Sequence, residues 1–309
     1  MISSSNVKLQ KVGSLARSLM GVFLSLLAVI FGVLTGVLIK KLGTDINIIT
    51  TLFYRFLFSL PILFLYAIYL RGRDFLQINQ RRILFFRSLL GLCGITFWFL
   101  SIRSMPLGMA TALFQSSVIF ITLLAPIFLG EKVGIYRWTA VIAGLAGVVI
   151  ITDPFAGSMS WYALYGIGAA LVGAGLSLML RQLGKGDAPA SVAAWYNLAG
   201  FGVLSVIVMI LPDQMQSISQ SVLVDLVVLG VIGSALQIVM TTAYRYSDAV
   251  VVASMRYVQM PISGIVGYFV FAEIMSASEI IGALVIIASC LVIAWRELVR
   301  TREVNQPGI

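Results

Sequence analysis

The chain has 309 residues, 60% of them hydrophobic and only 11% charged, with a mean hydropathy of +1.03. Soluble domains carry about 25% charged residues, so this supply cannot cover a water-facing surface and excludes an ordinary soluble enzyme or binding module. The net charge of +9 does not point to nucleic acid, because the Lys and Arg residues stand in short stretches between apolar runs, as topology signals do.

An apolar run of about 17 to 25 residues is needed to cross the hydrocarbon layer as a helix, and ten runs qualify. Lys8, Lys11 and Arg17 give the N-terminus the look of a signal peptide, but the apolar run reaches Ile39 without a small-residue cleavage site. The first span is therefore read as a retained helix over Leu15–Ile39, with Gly21, Ser25, Ala28, Gly32 and Gly36 on one close-packing face. The second, Ile46–Leu70, holds Arg55 within the apolar run. Exposing its head group to lipid at a helix centre costs about 2.5 to 3.5 kcal/mol, so Arg55 either faces a polar interior or braces neighbouring helices. In the third, Arg82–Ile102, Arg87 shares a face with Gly91, Gly94 and Trp98. It either screens solutes at the inner mouth or marks topology.

The fourth span, Leu107–Leu129, sets Thr111, Gln115 and Thr122 on one face beside Ser116 and Ser117. The fifth, Ile135–Thr152, and the sixth, Trp161–Leu180, carry small-residue stripes at Ala140, Gly144, Gly147 and at Gly166, Ala170, Gly173, Ser177. The seventh is Pro189–Leu211. The eighth, Leu223–Tyr244, aligns Gln237, Thr241 and Tyr244. In the ninth, Ala249–Phe271, Arg256, Gln259 and Ser263 fall at i, i+3 and i+7, hence on one face. The tenth is Glu279–Trp295. These polar faces fit a hydrated cavity, while the alternative has Arg256 on helix-end carbonyls and the glutamines tying helices together.

With the N-terminus inside, sixteen Lys and Arg residues fall on the cytoplasmic side and only Lys40, Lys41 and Arg103 outside. That bias places both termini in the cytoplasm of a multi-pass inner-membrane protein. The longest links, Gly72–Arg81 and Pro212–Val222, have room for a turn, and no GxxxxGK[ST] phosphate loop is present. Cys93 and Cys290 lie in apolar runs without CxxC pairing and the chain has no His, so neither metal nor cofactor is expected.

A shift of 142 residues superimposes Asp45 on Asp187, Gly91 on Gly233, Arg103 on Arg245 and Glu131 on Glu273. Five spans per half force the second copy into the membrane upside down, which predicts inverted repeats and a route to alternating access. The expected units are 1–153, 158–296 and a cytoplasmic tail, 297–309. No Asp, Glu or His lies near the middle of a span, so the positive interior favours a ligand with an acidic group. Trp98, Trp195, Tyr196 and Tyr257 offer flat contacts to a solute or act as interfacial anchors. An intramembrane enzyme needs an acid, base, nucleophile or metal. The interior lacks His and central carboxylates, so no catalytic residue is nominated.

The stretches FYRFLFSLP (Phe53–Pro61), SMPLGMATALFQSSVIFITLLAPIFLGEKV (Ser104–Val133), RWTAVIAGLAGVVII (Arg137–Ile151) and YSDAVVVASMRYVQMPISGIVGYFVFAEIM (Tyr246–Met275) resemble the EamA branch of the drug/metabolite transporter superfamily. The resemblance covers about residues 18 to 296. It implies an all-α, ten-helix carrier of two inverted five-helix repeats, with helices one, three, four, six, eight and nine around a central cavity. On that reading Arg256, Gln115, Gln237, Gln259, Trp98, Tyr257, Arg87 and Ser117 are candidate substrate contacts. Arg55, Glu131, Glu273 and Pro261 are structural or gating candidates. The fourth helix lacks the family's proline near Ser117–Ile119 while Pro261 holds the comparable place in the ninth, which speaks against a symmetric kink. The run RSLLGLCGITFWFLSIRSMPLGMATAL also resembles S-adenosylmethionine uptake carriers.

The expected function is a secondary transporter or exchanger of an amino-acid-like or nucleoside-derived metabolite, with membrane lipids as its surroundings and no nucleic-acid partner. The alternatives are a non-transporting receptor or assembly protein, and an S-adenosylmethionine-type uptake carrier.

Overall fold

A bilayer offers no water to unpaired backbone groups, so a chain this apolar must satisfy them within helices. The computed structural model describes residues 4–43, 45–129, 134–152, 162–183, 186–246 and 255–305. Its helices are α1 (Ser4–Leu42), α2 (Ile48–Arg71), α3 (Arg81–Ser104), α4 (Leu107–Gln115), α5 (Ser117–Leu129), α6 (Ile135–Thr152), α7 (Ala163–Leu183), α8 (Pro189–Ile210), α9 (Gln220–Tyr246), α10 (Gln259–Phe271) and α11 (Ala277–Asn305). Among the described residues nine helical stretches are long and apolar enough to span, with α4 and α5 forming one of them. The predicted ninth span is described from Met255 to its end in α10, while its start at Ala249 lies outside the described residues. The protein is an all-α polytopic membrane protein with five spans in each half.

Helix α1 starts before the predicted Leu15, and α11 continues beyond Trp295. Hydropathy marks only the part of a helix that lipid requires, whereas each added residue of a formed helix gains a hydrogen bond. The two longest links each contain a single 3₁₀ turn, Gly72–Asp74 and Pro212–Gln214.

Packing repeats under exchange of the halves. Helix α1 lies along α9 and α3 along α7, while α2 meets α8, α4 meets α10 and α6 meets α11. Exchanging first for sixth span and third for eighth turns the α1–α9 contact into the α7–α3 contact and leaves the other three unchanged. This is the contact pattern of a pseudo-two-fold repeat.

Small residues set the closest approaches. A Cβ on Gly147 would stand 2.9 Å from the Gly282 carbonyl oxygen, so the α6 and α11 backbones touch. Gly32 and Gly36 of α1 lie against Gln259 and Leu107, and Gly166 of α7 against Leu113. On the opposite side of α1, Phe23, Ile30 and Leu34 are exposed, as a lipid-facing stripe must be.

Both central spans are interrupted. The Ser116 N–H is shared between Ala112 and Leu113 carbonyls, the Ile119 N–H reaches back only three residues to Ser116 O at 2.9 Å, and Ser116 Oγ donates to Leu113 O at 2.6 Å. In the ninth span a 3₁₀ turn, Arg256–Val258, leads into α10. Shifted by 142 residues, Ser116 falls on Val258, so the interruptions are repeat-related even though only one has a proline nearby. Pro261 sits in the first turn of α10, where a missing N–H leaves no helical bond unmade. Both spans are thus interrupted at matching positions although the fourth lacks the proline.

The links sort to two ends. Thr50 at the start of α2 donates to Gln214 O, and Asn47 Nδ2 to Gln214 Oε1 in the α8–α9 link. Beyond the other end of α2, Asp187 accepts from the Asn79 and Gln80 N–H groups at 2.7 and 3.2 Å, an anion at the N-terminus of α3. Trp195 Nε1 donates to Leu76 O there at 2.8 Å.

Candidate functional site

The two interruptions meet. Gln115 Nε2 at the end of α4 donates to Arg256 O at 2.6 Å, and Cys290 Sγ of α11 faces Gln115 O at 3.8 Å. Tyr257 and Gln259 are buried, as is Ser117 at the start of α5. The Arg256 guanidinium lies 5.7 Å from the Phe114 ring centroid, and that ring is 5.7 Å from Trp98. Trp98 Nε1 is buried without a hydrogen-bond partner. Six of the residues nominated from sequence, Arg256, Gln115, Gln259, Trp98, Tyr257 and Ser117, thus belong to one region. In this conformation Gln115 is itself a tie between the halves, and the Arg256 guanidinium has an aromatic neighbour and no carboxylate among the described residues.

The other two, Arg87 and Gln237, belong to a second polar region between α2, α3, α8 and α9, together with Arg55. The Arg87 guanidinium carbon lies 4.0 Å from the Tyr196 ring centroid, and that of Arg55 lies 4.7 Å from Phe56. The Phe56 and Tyr196 rings meet edge to face at 5.4 Å. Tyr196 donates its hydroxyl to Gly91 O at 3.2 Å, and the same hydroxyl is within reach of Arg55. Gly233 of α9 lies 3.6 Å from Arg55 Nε, measured from where its Cβ would be. One turn further along α9, Gln237 accepts from Asn197 Nδ2 at 3.0 Å.

The energetics of this second region are unbalanced. Arg55 and Arg87 are each 6% exposed, and Arg55 Nη1, Arg87 Nε and Arg87 Nη1 have no hydrogen-bond partner. Burying an ion costs several kcal/mol even after relaxation, and each unmade donor costs about 1 to 3 kcal/mol. A desolvated cation–π contact returns about 2 kcal/mol. Aromatic rings alone do not offset two buried guanidinium groups.

Sequence reasoning keeps these arginines apart because they lie in two different spans, Arg55 about ten residues into the second and Arg87 about five into the third. The available signal was the repeat pair Gly91 and Gly233. A Cβ on Gly91 would stand 2.7 Å from Tyr196 Cε2, so both repeat-matched glycines make room for this cluster. Helix α3 joins the two regions, because Arg87 and Trp98 share its inner face at eleven residues' separation, about 16 Å of helix.

At the end of the molecule where α1 finishes, Glu273 pairs with Lys40 and accepts the Leu107 N–H at 2.7 Å, capping α4. Lys40 also donates to Met105 O at 2.6 Å. Glu131, the repeat partner of Glu273, lies outside the described residues. Among those described, no cluster of His, Cys, Asp or Glu could hold a metal.

The model of the EamA-like transporter family matches residues 19–153 and again 160–295, once over each five-span half. The chain belongs to the EamA-like transporter family. EamA members are transporters rather than enzymes, and this chain is a multi-pass membrane protein of that kind.

Among its relatives, the S-adenosylmethionine uptake transporter of Rickettsia prowazekii is 29% identical over 92% of this chain and 95% of its own length. The riboflavin transporter of Vibrio cholerae is 29% identical over 70% of this chain and 72% of its own. The pseudopaline exporter of Pseudomonas aeruginosa is 25% identical over 89% and 95%. A solved crystal structure superimposes with a TM-score of 0.63 at 16% identity over 88% of this chain and 96% of that one, a likeness of fold.

Proposed function

We propose that this EamA protein is a secondary carrier that moves a small metabolite, amino-acid-like or nucleoside-derived, across the inner membrane by alternating access. The observation that carries the reading is the meeting of two repeat-related helix interruptions beside Arg256, Gln115 and Trp98. Irregular backbone at membrane depth is tolerated where it lines a cavity or is buried in protein, and carriers use such places to hold cargo. Arg256 would hold a polar group of the cargo, with Trp98 against a flat one and Gln259, Tyr257 and Ser117 completing the wall. Gln237 and Gln115 would exchange their present partners as the halves rock.

Both termini are proposed to be cytoplasmic, from the sixteen-to-three bias of basic residues. Lys40 and Glu273 would then latch the outer end, and Glu131 offers a repeat-related counterpart at the inner one.

Counterflow in proteoliposomes without ATP tests this. Purified protein preloaded with a metabolite panel is expected to exchange one class of labelled metabolite, and Arg256→Ala is expected to lose most of that exchange while keeping a wild-type unfolding midpoint. No exchange across the panel by folded protein would favour a receptor instead. S-adenosylmethionine is the second reading, supported by the 29% match along 92% of the chain. Its carboxylate suits an arginine, whereas its sulfonium does not.

A further inference from the structure

The carrier reading leaves the second polar region without a role. Arg87 of α3 lies over the Tyr196 ring and Arg55 of α2 comes within reach of its hydroxyl, and three of their guanidinium nitrogens are buried and unbonded. The Tyr196 hydroxyl within reach of Arg55 leaves Nη1 of that arginine unbonded. Arg103, by contrast, places both terminal nitrogens, donating to Ile46 O and Thr51 Oγ1 at 2.7 Å each and leaving only Nε unbonded. Neither Arg55 nor Arg87 meets a carboxylate among the described residues, whereas Lys40 pairs with Glu273 and Lys41 with Asp225. Two planar cations with free N–H groups match one oxyanion, which can accept from both at once.

We infer that Arg55 and Arg87, both beside Tyr196, form an oxyanion subsite that binds the carboxylate or phosphate group of the cargo. This deepens the carrier reading and rests on it for the word cargo. The Arg87–Trp98 face of α3 gives the geometry: a cargo lying along that helix would set its acidic group on the arginine pair and its flat part towards Trp98 and Arg256. Both arginines are more than nine-tenths buried, so an anion held there is occluded, and it enters when α2, α3 and α8 part.

The test is titration of the full-length protein in detergent with inorganic phosphate and, separately, with succinate, against sodium chloride of equal ionic strength. The readouts are the unfolding midpoint and direct binding of the radiolabelled probe. Wild type is expected to give a saturable rise with at least one probe, phosphate alone assigning a phosphoryl group and succinate alone a carboxylate. Arg55→Gln and Arg87→Gln are expected to raise the half-saturation concentration at least tenfold, and Arg73→Gln, at an exposed position, to leave it unchanged. Should the glutamine variants misfold, Arg55→Lys and Arg87→Lys keep the charge but lose the planar fork, and a severalfold weaker response is expected. A wild-type response no different from chloride, or arginine variants that titrate like wild type, overturns the assignment. A protein that exchanges a neutral metabolite while ignoring both probes keeps the carrier reading and loses this one. Probe binding without any exchange does the reverse.

Discussion

Lys40 and Arg87 are both cations shielded from water, and they sit in opposite circumstances. Lys40, with 16% of its side chain exposed, faces a carboxylate that is 13% exposed and is itself tied to the Leu107 N–H. Arg87 lies on an aromatic ring with two nitrogens unbonded. The first arrangement joins the ends of α1, α4 and the ninth span, and it is complete without any other molecule. The second lacks an anion. A buried ion is tolerable when its partner is present, so a persistently unpartnered one marks a place where something else supplies the charge.

The largest effect is expected where partners are complete. Glu273→Ala leaves Lys40 half-buried beside no carboxylate and uncaps α4, and breaking such a pair costs about 3 kcal/mol. The unfolding midpoint in detergent should fall accordingly. Replacing both partners, as Lys40→Met with Glu273→Met, should recover much of the loss because no stranded charge remains. An additive double variant would mean that the two side chains do not act as a pair.

Next comes Gly91→Ala, which puts a methyl 2.7 Å from Tyr196 Cε2 and forces the ring off its seat. Overpacking of this kind costs about 1 to 3 kcal/mol. It should also weaken transport, because the displaced ring is the one that Arg87 lies on. Unchanged stability and exchange would place Tyr196 on softer packing than its contacts indicate.

Arg87→Met reverses the pattern. It removes a buried charge and keeps an apolar stem, while giving up one cation–π contact, so stability should remain within about 1 kcal/mol of wild type. Exchange should nevertheless fall at least tenfold. A stability loss as large as that of Glu273→Ala would show that Arg87 is a brace.

The ten spans, the five-and-five division and the resemblance to EamA were legible because hydropathy length, the 142-residue register and short motifs are all linear properties of the chain. The gathering of Arg256, Gln115, Gln259 and Trp98 was accessible for the same reason, since each lies on a polar face of its own helix. The Arg55–Tyr196–Arg87 cluster was not, because it draws on three helices whose mutual rotation no single helical face records. Its trace was confined to glycines, Gly91 and Gly233, whose meaning depends on what stands opposite. The fourth-span interruption was hidden for a different reason: the side chain of Ser116 bonds the Leu113 carbonyl one turn back, as serines in unbroken helices also do, so the residue carries no distinctive sequence signal.

That interruption supplies the smallest expected effect. Pro261 invites the explanation that proline creates the break in the ninth span, yet the repeat-related break at Ser116 has no proline at all. If the break is set by the packing of Tyr257 and Gln115 between the halves, Pro261→Ala should change stability by no more than about 1 kcal/mol, mainly by loosening the unfolded chain. Amide exchange at Arg256, Tyr257 and Val258 should stay as fast as in wild type, because the 3₁₀ turn persists. Slowed exchange across those three residues would mean that a continuous α-helix had formed, and that proline rather than the meeting of the two halves keeps the ninth span open.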